Sequence, residues 1–187
     1  MGRIIIIIDS IISSLVVAIW VMLPAYVPNS AAAALGGGAP VDMGKTWSDG
    51  RRILGDGKTW RGFVLGVACG VAVGIVQIVA RDAFGLSSLP EHTLITVFLL
   101  AFGALLGDMV KSFIKRRLGK ESGEEWLIAD QYDLVAGSLG LLLVFQYGWV
   151  VENVTLGVFV WIIILTPLLH RAANIIGYLI GVKKVPW

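Results

Sequence analysis

Five stretches of this chain are apolar for long enough to cross a lipid bilayer, at about 4–23, 62–80, 93–110, 134–151 and 154–170. A helix of about 20 residues rises roughly 30 Å, the depth of a hydrocarbon core. Composition agrees: 57% of the 187 residues are apolar and 15% charged, against roughly 45–50% and 25% in soluble domains. The expectation is an all-α, polytopic integral membrane protein with about five transmembrane helices, one integral-membrane domain over 1–187. The fifth stretch can run on towards Ile180 with a kink at Pro167, because proline removes a helix donor. The run AAAALGGGAPV (31–41) is short and glycine-rich and reads as a loop or a partly buried segment. The single cysteine, Cys69, lies inside an apolar run, so no disulfide framework is expected.

Lysine and arginine then set the orientation. Lys45, Arg51, Arg52, Lys58 and Arg61 fall between the first two stretches. Lys111, Lys115, Arg116, Arg117 and Lys120 fall between the third and fourth, and Arg171, Lys183 and Lys184 in the tail. Only Arg3 and Arg81 belong to the other side. Loops 24–61 and 111–133 and the C-terminus are therefore expected in the cytoplasm, and the N-terminus outside. A cleaved signal peptide over 1–34 is disfavoured: its apolar stretch exceeds the usual 7–15 residues, and cleavage would leave the basic segment outside.

Three polar clusters then share one side of the membrane. PVDMGKTWSDGRRILGDGKTWRG (40–62) carries GKTW twice, at 44–47 and 57–60. Its glycines permit tight backbone approach, and lysine, threonine and arginine are the donors an oxyanion requires. A P-loop needs glycine five positions earlier, where Ala39 and Arg52 stand, and no strand precedes either copy. The second cluster, GDMVKSFIKRR (107–117), puts Asp108, Lys111, Ser112 and Lys115 on one helical face. Lysine and arginine at a span end need no special reason. Asp108 does, because a carboxylate disfavours a helix C-terminus; a salt bridge to Lys111 or Lys115 is the plain alternative to a functional role. In the third cluster, IADQYDLVAGS (128–138), Asp130 and Asp133 are three apart and face one way. Helix capping is the plain alternative for their position. The topology brings Asp108, Asp130 and Asp133 to one membrane face, and hard oxygen ligands beside phosphate donors are how Mg²⁺ is held when a substrate completes the shell.

The remaining features point less sharply. Glu121, Glu124 and Glu125 read as a solvated acidic turn, and His92 and His170 lie too far apart for a metal spacing. Asp9, among Ser10, Ser13 and Ser14, reads as structural near the outer face. Trp149 and Trp187 read as span-end anchors, whereas Trp47 and Trp60 could stack on a base or sit at the interface.

GDMVKSFIKRR followed by DQYD resembles the signature of the membrane-bound phosphatidate cytidylyltransferases: an aspartate, Ser-x-x-Lys-Arg, then Asp-Arg-x-Asp. Asp108, Ser112, Lys115, Arg116, Asp130 and Asp133 match, while Gln131 replaces the arginine and ESGEEWLIA stands where the bacterial enzymes have Gly-His-Gly. Together with DGRRILGDGKTWRG, these departures resemble the archaeal branch, the CDP-archaeol synthase family. The resemblance implies transfer of a cytidylyl group from CTP to 2,3-bis-O-geranylgeranylglycerol 1-phosphate, giving CDP-archaeol and pyrophosphate with Mg²⁺ as cofactor. It implies Asp108, Asp130 and Asp133 as metal ligands and, with Lys115, as the catalytic set. Asp56, Lys58, Thr59, Arg61, Ser112, Lys115, Arg116 and Arg117 are the implied nucleotide and phosphate contacts. The partners expected are CTP, a lipid phosphate and membrane lipids, with no nucleic acid. A CTP-dependent polyprenol or phytol kinase and a small membrane transporter remain as alternatives. The bunching of polar residues at one face disfavours the transporter, and DGRR lacks the Ala-Arg and paired aspartates of the CDP-alcohol phosphotransferases.

Overall fold

Three threonines start three of the long helices. Thr59, Thr93 and Thr155 have extended backbone and accept hydrogen bonds from the N–H groups of Gly62, Thr96 and Val158, which satisfies donors a helix start leaves open. Thr93 and Thr96 do so reciprocally. The computed structural model describes residues 2–121, 124 and 126–182. Among them the chain is all-helical: α1 Gly2–Leu35, α2 Trp60–Ala83, α3 Leu94–Arg117, α4 Leu127–Phe145, the short α5 Tyr147–Asn153 and α6 Leu156–Leu179. Five of these are long and apolar enough to cross a membrane. Glu125, Lys183, Lys184 and Trp187 lie outside the described residues.

The helices overrun the apolar stretches. α1 continues through Pro24 and Pro28 to Leu35, so residues 31–35 are helix and the loop starts only at Gly36. α3 extends to Arg117 and α4 begins at Leu127, which puts Asp108, Lys111, Ser112, Lys115, Asp130 and Asp133 on helices. α6 passes Pro167 and ends at Leu179.

Prolines are tolerated because neighbouring helices take up the carbonyls they free. Pro24 cannot donate to Trp20, and the Trp20 carbonyl instead accepts from Gln77 Nε2 at 2.9 Å. His92 Nε2 lies 3.4 Å from the same oxygen, its ring stacked between Trp20 and Trp149. Burial lowers the His92 pKa, favouring the neutral ring. Likewise Pro167 frees the Ile163 carbonyl, which accepts from the Tyr132 hydroxyl at 3.1 Å.

Small residues set how closely the helices approach. Gly66 and Gly70 of α2 lie against the Pro28 and Pro24 carbonyls of α1; an added Cβ would stand 2.7 and 2.6 Å from those oxygens. Gly103 and Gly107 of α3 meet Gly137 of α4. A Cβ on Gly107 would come 2.0 Å from the Asp133 carbonyl oxygen, and one on Gly137 2.1 Å from that of Gly103. This is the small-residue packing of membrane helices, where backbones close together because no side chain intervenes. Ser138 Oγ adds a bond to the Leu100 carbonyl at 2.8 Å. The buried core runs through Ala18, Met22, Leu100, Ala104, Leu139, Leu142 and Ile162. Outward apolar residues such as Val64, Val76 and Leu156 remain exposed, as a lipid-facing surface requires.

Candidate active site

At one end of the bundle the end of α1, the starts of α2 and α4, the end of α3 and the last part of α6 surround a cavity of about 690 Å³. The glycine contact between α3 and α4 explains its chemistry. It holds the backbones of residues 107 and 133 together, so the adjoining Asp108 and the Asp133 side chain lie within reach of one cation. Asp108 Oδ1, Asp130 Oδ1 and Asp133 Oδ2 all face Lys111 Nζ, at 3.0, 3.0 and 2.6 Å. Lys58 reaches across from the loop, its Nζ 2.5 Å from Asp108 Oδ2. Lys115 Nζ lies 3.2 Å from both Asp130 oxygens and also donates to the Glu124 carbonyl.

Both plain readings of the aspartates are thus present alongside their convergence. Asp108 pairs with Lys111, and Asp130 Oδ2 accepts from the Trp126 N–H at the start of α4 at 2.6 Å. The donor set suits a hard divalent ion, three carboxylates from two helices. Asp133 Oδ2 is buried and accepts no hydrogen bond of normal geometry despite the nearby ammonium. Among the described residues, however, no three His, Cys, Asp or Glu side chains stand at metal spacing. The carboxylates are held apart at ammonium distances.

The loop between α1 and α2 is organised by an aspartate that the motif reading did not single out. Asp42 accepts from Arg52 Nη2 at 2.7 Å and Nε at 3.2 Å, and from the N–H groups of Gly44, Leu54 and Gly55 at 3.1, 2.9 and 2.9 Å. Burial opposes the charged form, but the Arg52 guanidinium and these three donors hold the Asp42 carboxyl well below the usual carboxylate range. A depressed folded-state pKa stabilises the loop above the unfolded value of about 4 and loses that contribution as pH falls through the folded one. Asp42→Ala should therefore weaken the loop by roughly 1.5–3 kcal/mol, the scale of a hydrogen bond to a charged group. Faster amide exchange at Leu54 and Gly55 is the expected result; unchanged exchange would remove Asp42 from this role.

This loop makes the two GKTW copies unequal. In the second, the Val41 N–H donates to the Lys58 carbonyl at 2.7 Å and the Trp60 N–H to the Ala39 carbonyl at 3.1 Å. That pins Lys58 at the cavity and Thr59 at the start of α2. In the first, Lys45 is exposed and Trp47 packs edge-on against Phe113, 5.3 Å between centroids. Trp60 packs similarly on Phe63. The rings of Trp47 and Trp60 each rest on a phenylalanine.

Of the residues expected at the site, Lys58, Thr59, Asp108, Ser112, Lys115, Arg116 and Asp130 line the cavity, with Asp133 just behind it on Lys111. Asp56, Arg61 and Arg117 do not line it. Asp56 pairs with Arg52 at 2.7 Å, and Arg61 is exposed on the first turn of α2. Arg117 braces the loop against α3, with Asp49 at 2.7 Å and the Arg52 carbonyl at 2.6 Å, its guanidinium 5.2 Å from the Phe113 ring centroid. The charges of Asp56 and Arg117 go to holding the loop. Asp9 is exposed on α1, away from the cavity.

The cavity also gathers Asn29 from α1 and His170, Arg171 and Asn174 from α6. In the sequence Arg171 counts only towards the orientation and His170 only as a histidine far from His92, while Asn29 and Asn174 carry no signal beyond a polar side chain beside an apolar run. Ala32, Ala33, Phe63 and Ile175 give this flank an apolar character.

The arrangement offers cations for anionic oxygen, carboxylates for a cation and an apolar wall. Comparison with known proteins agrees. A family model described as CarS-like, CDP-archaeol synthase, matches residues 8–187. CDP-archaeol synthases of Methanosphaerula palustris and Methanoculleus marisnigri are 64% and 63% identical over 166 residues, covering 89% of this chain and all of each relative. That of Methanosarcina barkeri is 48% identical over 175 residues, with the same coverage. A solved structure of an intramembrane enzyme for archaeal membrane lipids biosynthesis superposes with a TM-score of 0.68 at 39% identity, covering 84% of this chain and 92% of that one. The chain belongs to the CDP-archaeol synthase family.

Proposed function

We propose that this protein transfers the cytidylyl group of CTP to 2,3-bis-O-geranylgeranylglycerol 1-phosphate, giving CDP-archaeol and pyrophosphate. The observation that carries this reading is the cavity itself. Lys58, Lys111 and Lys115 pair with three carboxylates at the end of the bundle, with Arg116 in the same lining, beside an apolar flank formed by α1, α2 and α6.

The lipid phosphate is already a nucleophile, so no side chain need generate one. Its oxygen forms a bond to the α-phosphorus of CTP as the bond to the β-phosphate bridging oxygen breaks, and pyrophosphate leaves with that electron pair. Two polyanions must be brought together, so the task of the chain is charge compensation and alignment. Lys58, Lys115 and Arg116 hold triphosphate oxygens, and Ser112 lies among them. The Thr59 hydroxyl oxygen already accepts from the Gly62 and Gly37 N–H groups at 3.1 and 3.2 Å, which leaves its proton for a phosphate. Arg171, on the apolar side, receives the lipid phosphate while the isoprenoid chains lie along the bilayer. Asp108, Asp130 and Asp133 are the residues that would hold Mg²⁺, which when bound offsets charge on the triphosphate and on departing pyrophosphate. The cavity faces the cytoplasm, where CTP arrives from water; the excess of lysine and arginine at this end supports that reading.

The test is to incubate purified protein with CTP, Mg²⁺ and a panel of lipid phosphates and lipid alcohols, and to identify products by mass. A CDP-lipid with pyrophosphate is expected. CDP with a phosphorylated alcohol would instead establish a lipid kinase, and CTP binding without turnover on any lipid would end the enzymatic reading.

A further inference from the structure

Lys111 occupies the point on which the three carboxylates converge. One oxygen from each acid faces its Nζ, at 3.0 Å for Asp108 and Asp130 and 2.6 Å for Asp133. The second oxygens are turned to other donors: Asp108 Oδ2 to Lys58 Nζ at 2.5 Å, Asp130 Oδ2 to the Trp126 N–H at 2.6 Å and Asp133 Oδ1 to the Leu134 N–H at 2.5 Å. Helical spacing accounts only for the contact with Asp108, three residues away; the other two cross from α3 to α4. The Lys111 side chain is 13% exposed and that of Asp133 2%, so this is no solvated surface pair.

Charge and distance together give the arrangement its meaning. Asp108, Asp130 and Asp133 carry three negative charges, and Lys58, Lys111 and Lys115 balance them. A magnesium ion would need the same oxygens at roughly 2.0–2.1 Å, and it cannot share its position with an ammonium. We propose that Lys111 is an internal cation that holds the metal position in the empty enzyme and leaves it when metal and nucleotide arrive. Its ammonium then turns to the phosphates. This rests on the cytidylyl-transfer reading through the assignment of the three acids to the metal. Metal alone must displace a well-paired ammonium and binds weakly. Nucleotide supplies Lys111 with new anionic partners, so metal and CTP bind cooperatively.

The test is Mn²⁺ binding to the full-length protein in detergent, followed by electron paramagnetic resonance with and without CTP. Wild type should bind Mn²⁺ weakly alone and more tightly with CTP. Lys111→Met removes the competitor, so Mn²⁺ alone should bind about tenfold more tightly or better, as when a binding-competent state becomes fully populated. The gain from CTP should shrink. The melting temperature of the metal-free variant should fall and be recovered by Mn²⁺. Lys111→Gln is the second variant, and Asp130→Asn should lose Mn²⁺ in either background. Affinity for Mn²⁺ equal to or weaker than wild type in both Lys111 variants overturns the proposal. If neither variant folds, a structure of wild type with Mn²⁺ and CTP decides. Lys111 on a phosphate with Mn²⁺ among the carboxylates supports the proposal; Lys111 still touching all three carboxylates overturns it. The product assay on wild type keeps the readings apart. CDP-lipid formation with unchanged variant affinities sinks this inference alone, whereas no CDP-lipid sinks the transfer reading.

Discussion

Asparagine in place of Asp108 lowers cytidylyl transfer by roughly two to three orders of magnitude, the scale seen when one preorganised electrostatic group is removed from an active site, and leaves the protein folded. Asp108 joins the loop to the helix pair: one oxygen faces Lys58 and the other Lys111. The substitution keeps the shape of the side chain and removes its charge. Lys111 retains Asp130 and Asp133, and the Ser112 hydroxyl still donates to the residue 108 carbonyl at 2.8 Å. The fold therefore loses only about 1–3 kcal/mol, the cost of poorly satisfied buried groups. Turnover of the purified variant, read beside its melting curve, checks both halves. Activity within a few-fold of wild type would remove Asp108 from the chemistry.

The second large effect comes from a residue with no functional group. Gly107→Ala places a Cβ 2.0 Å from the Asp133 carbonyl oxygen and 2.8 Å from its carbonyl carbon. Both are backbone atoms of a packed helix and cannot turn aside. α3 and α4 must move apart, at a cost of about 1–3 kcal/mol or more, as for an overpacked core. The carboxylates of Asp108 and Asp133 separate with them, and a displacement near 1 Å can cost roughly a hundredfold in rate. Gly140→Ala is the control: it adds the same methyl on α4, where nothing lies within 4 Å. The expected result is a lower melting temperature and lost activity for Gly107→Ala, with Gly140→Ala close to wild type. Equal behaviour of the two would refute the packing argument.

Much of the candidate site was legible in the sequence because its residues carry chemistry in a fixed helical register. Asp108, Lys111, Ser112 and Lys115 share a face wherever that segment is helical, and in the structure all four line the cavity. The helix ends were less legible. Apolar runs stop at the first charges and at Pro24, but α3 continues through a basic turn that suits a helix C-terminus. α1 continues because Gln77 and His92, distant in sequence, occupy the carbonyl that Pro24 frees. Nor could spacing separate Lys58, which points at Asp108, from Lys45 in an identical tetrapeptide, or show that Arg117 and Asp56 brace the loop.

The sequence by itself determined that the chain is a bundle of membrane-spanning helices with acids and bases gathered at one end. Burial of long apolar runs and the helical repeat are local properties, and they survive in any arrangement of the bundle. Only the tertiary structure decided which acids meet and around what. That outcome depends on bare backbone at Gly103, Gly107 and Gly137 letting α3 and α4 close together. It depends equally on a loop tied down by Asp42, and the contact that sets an active site is a distance between helices, which no single segment encodes.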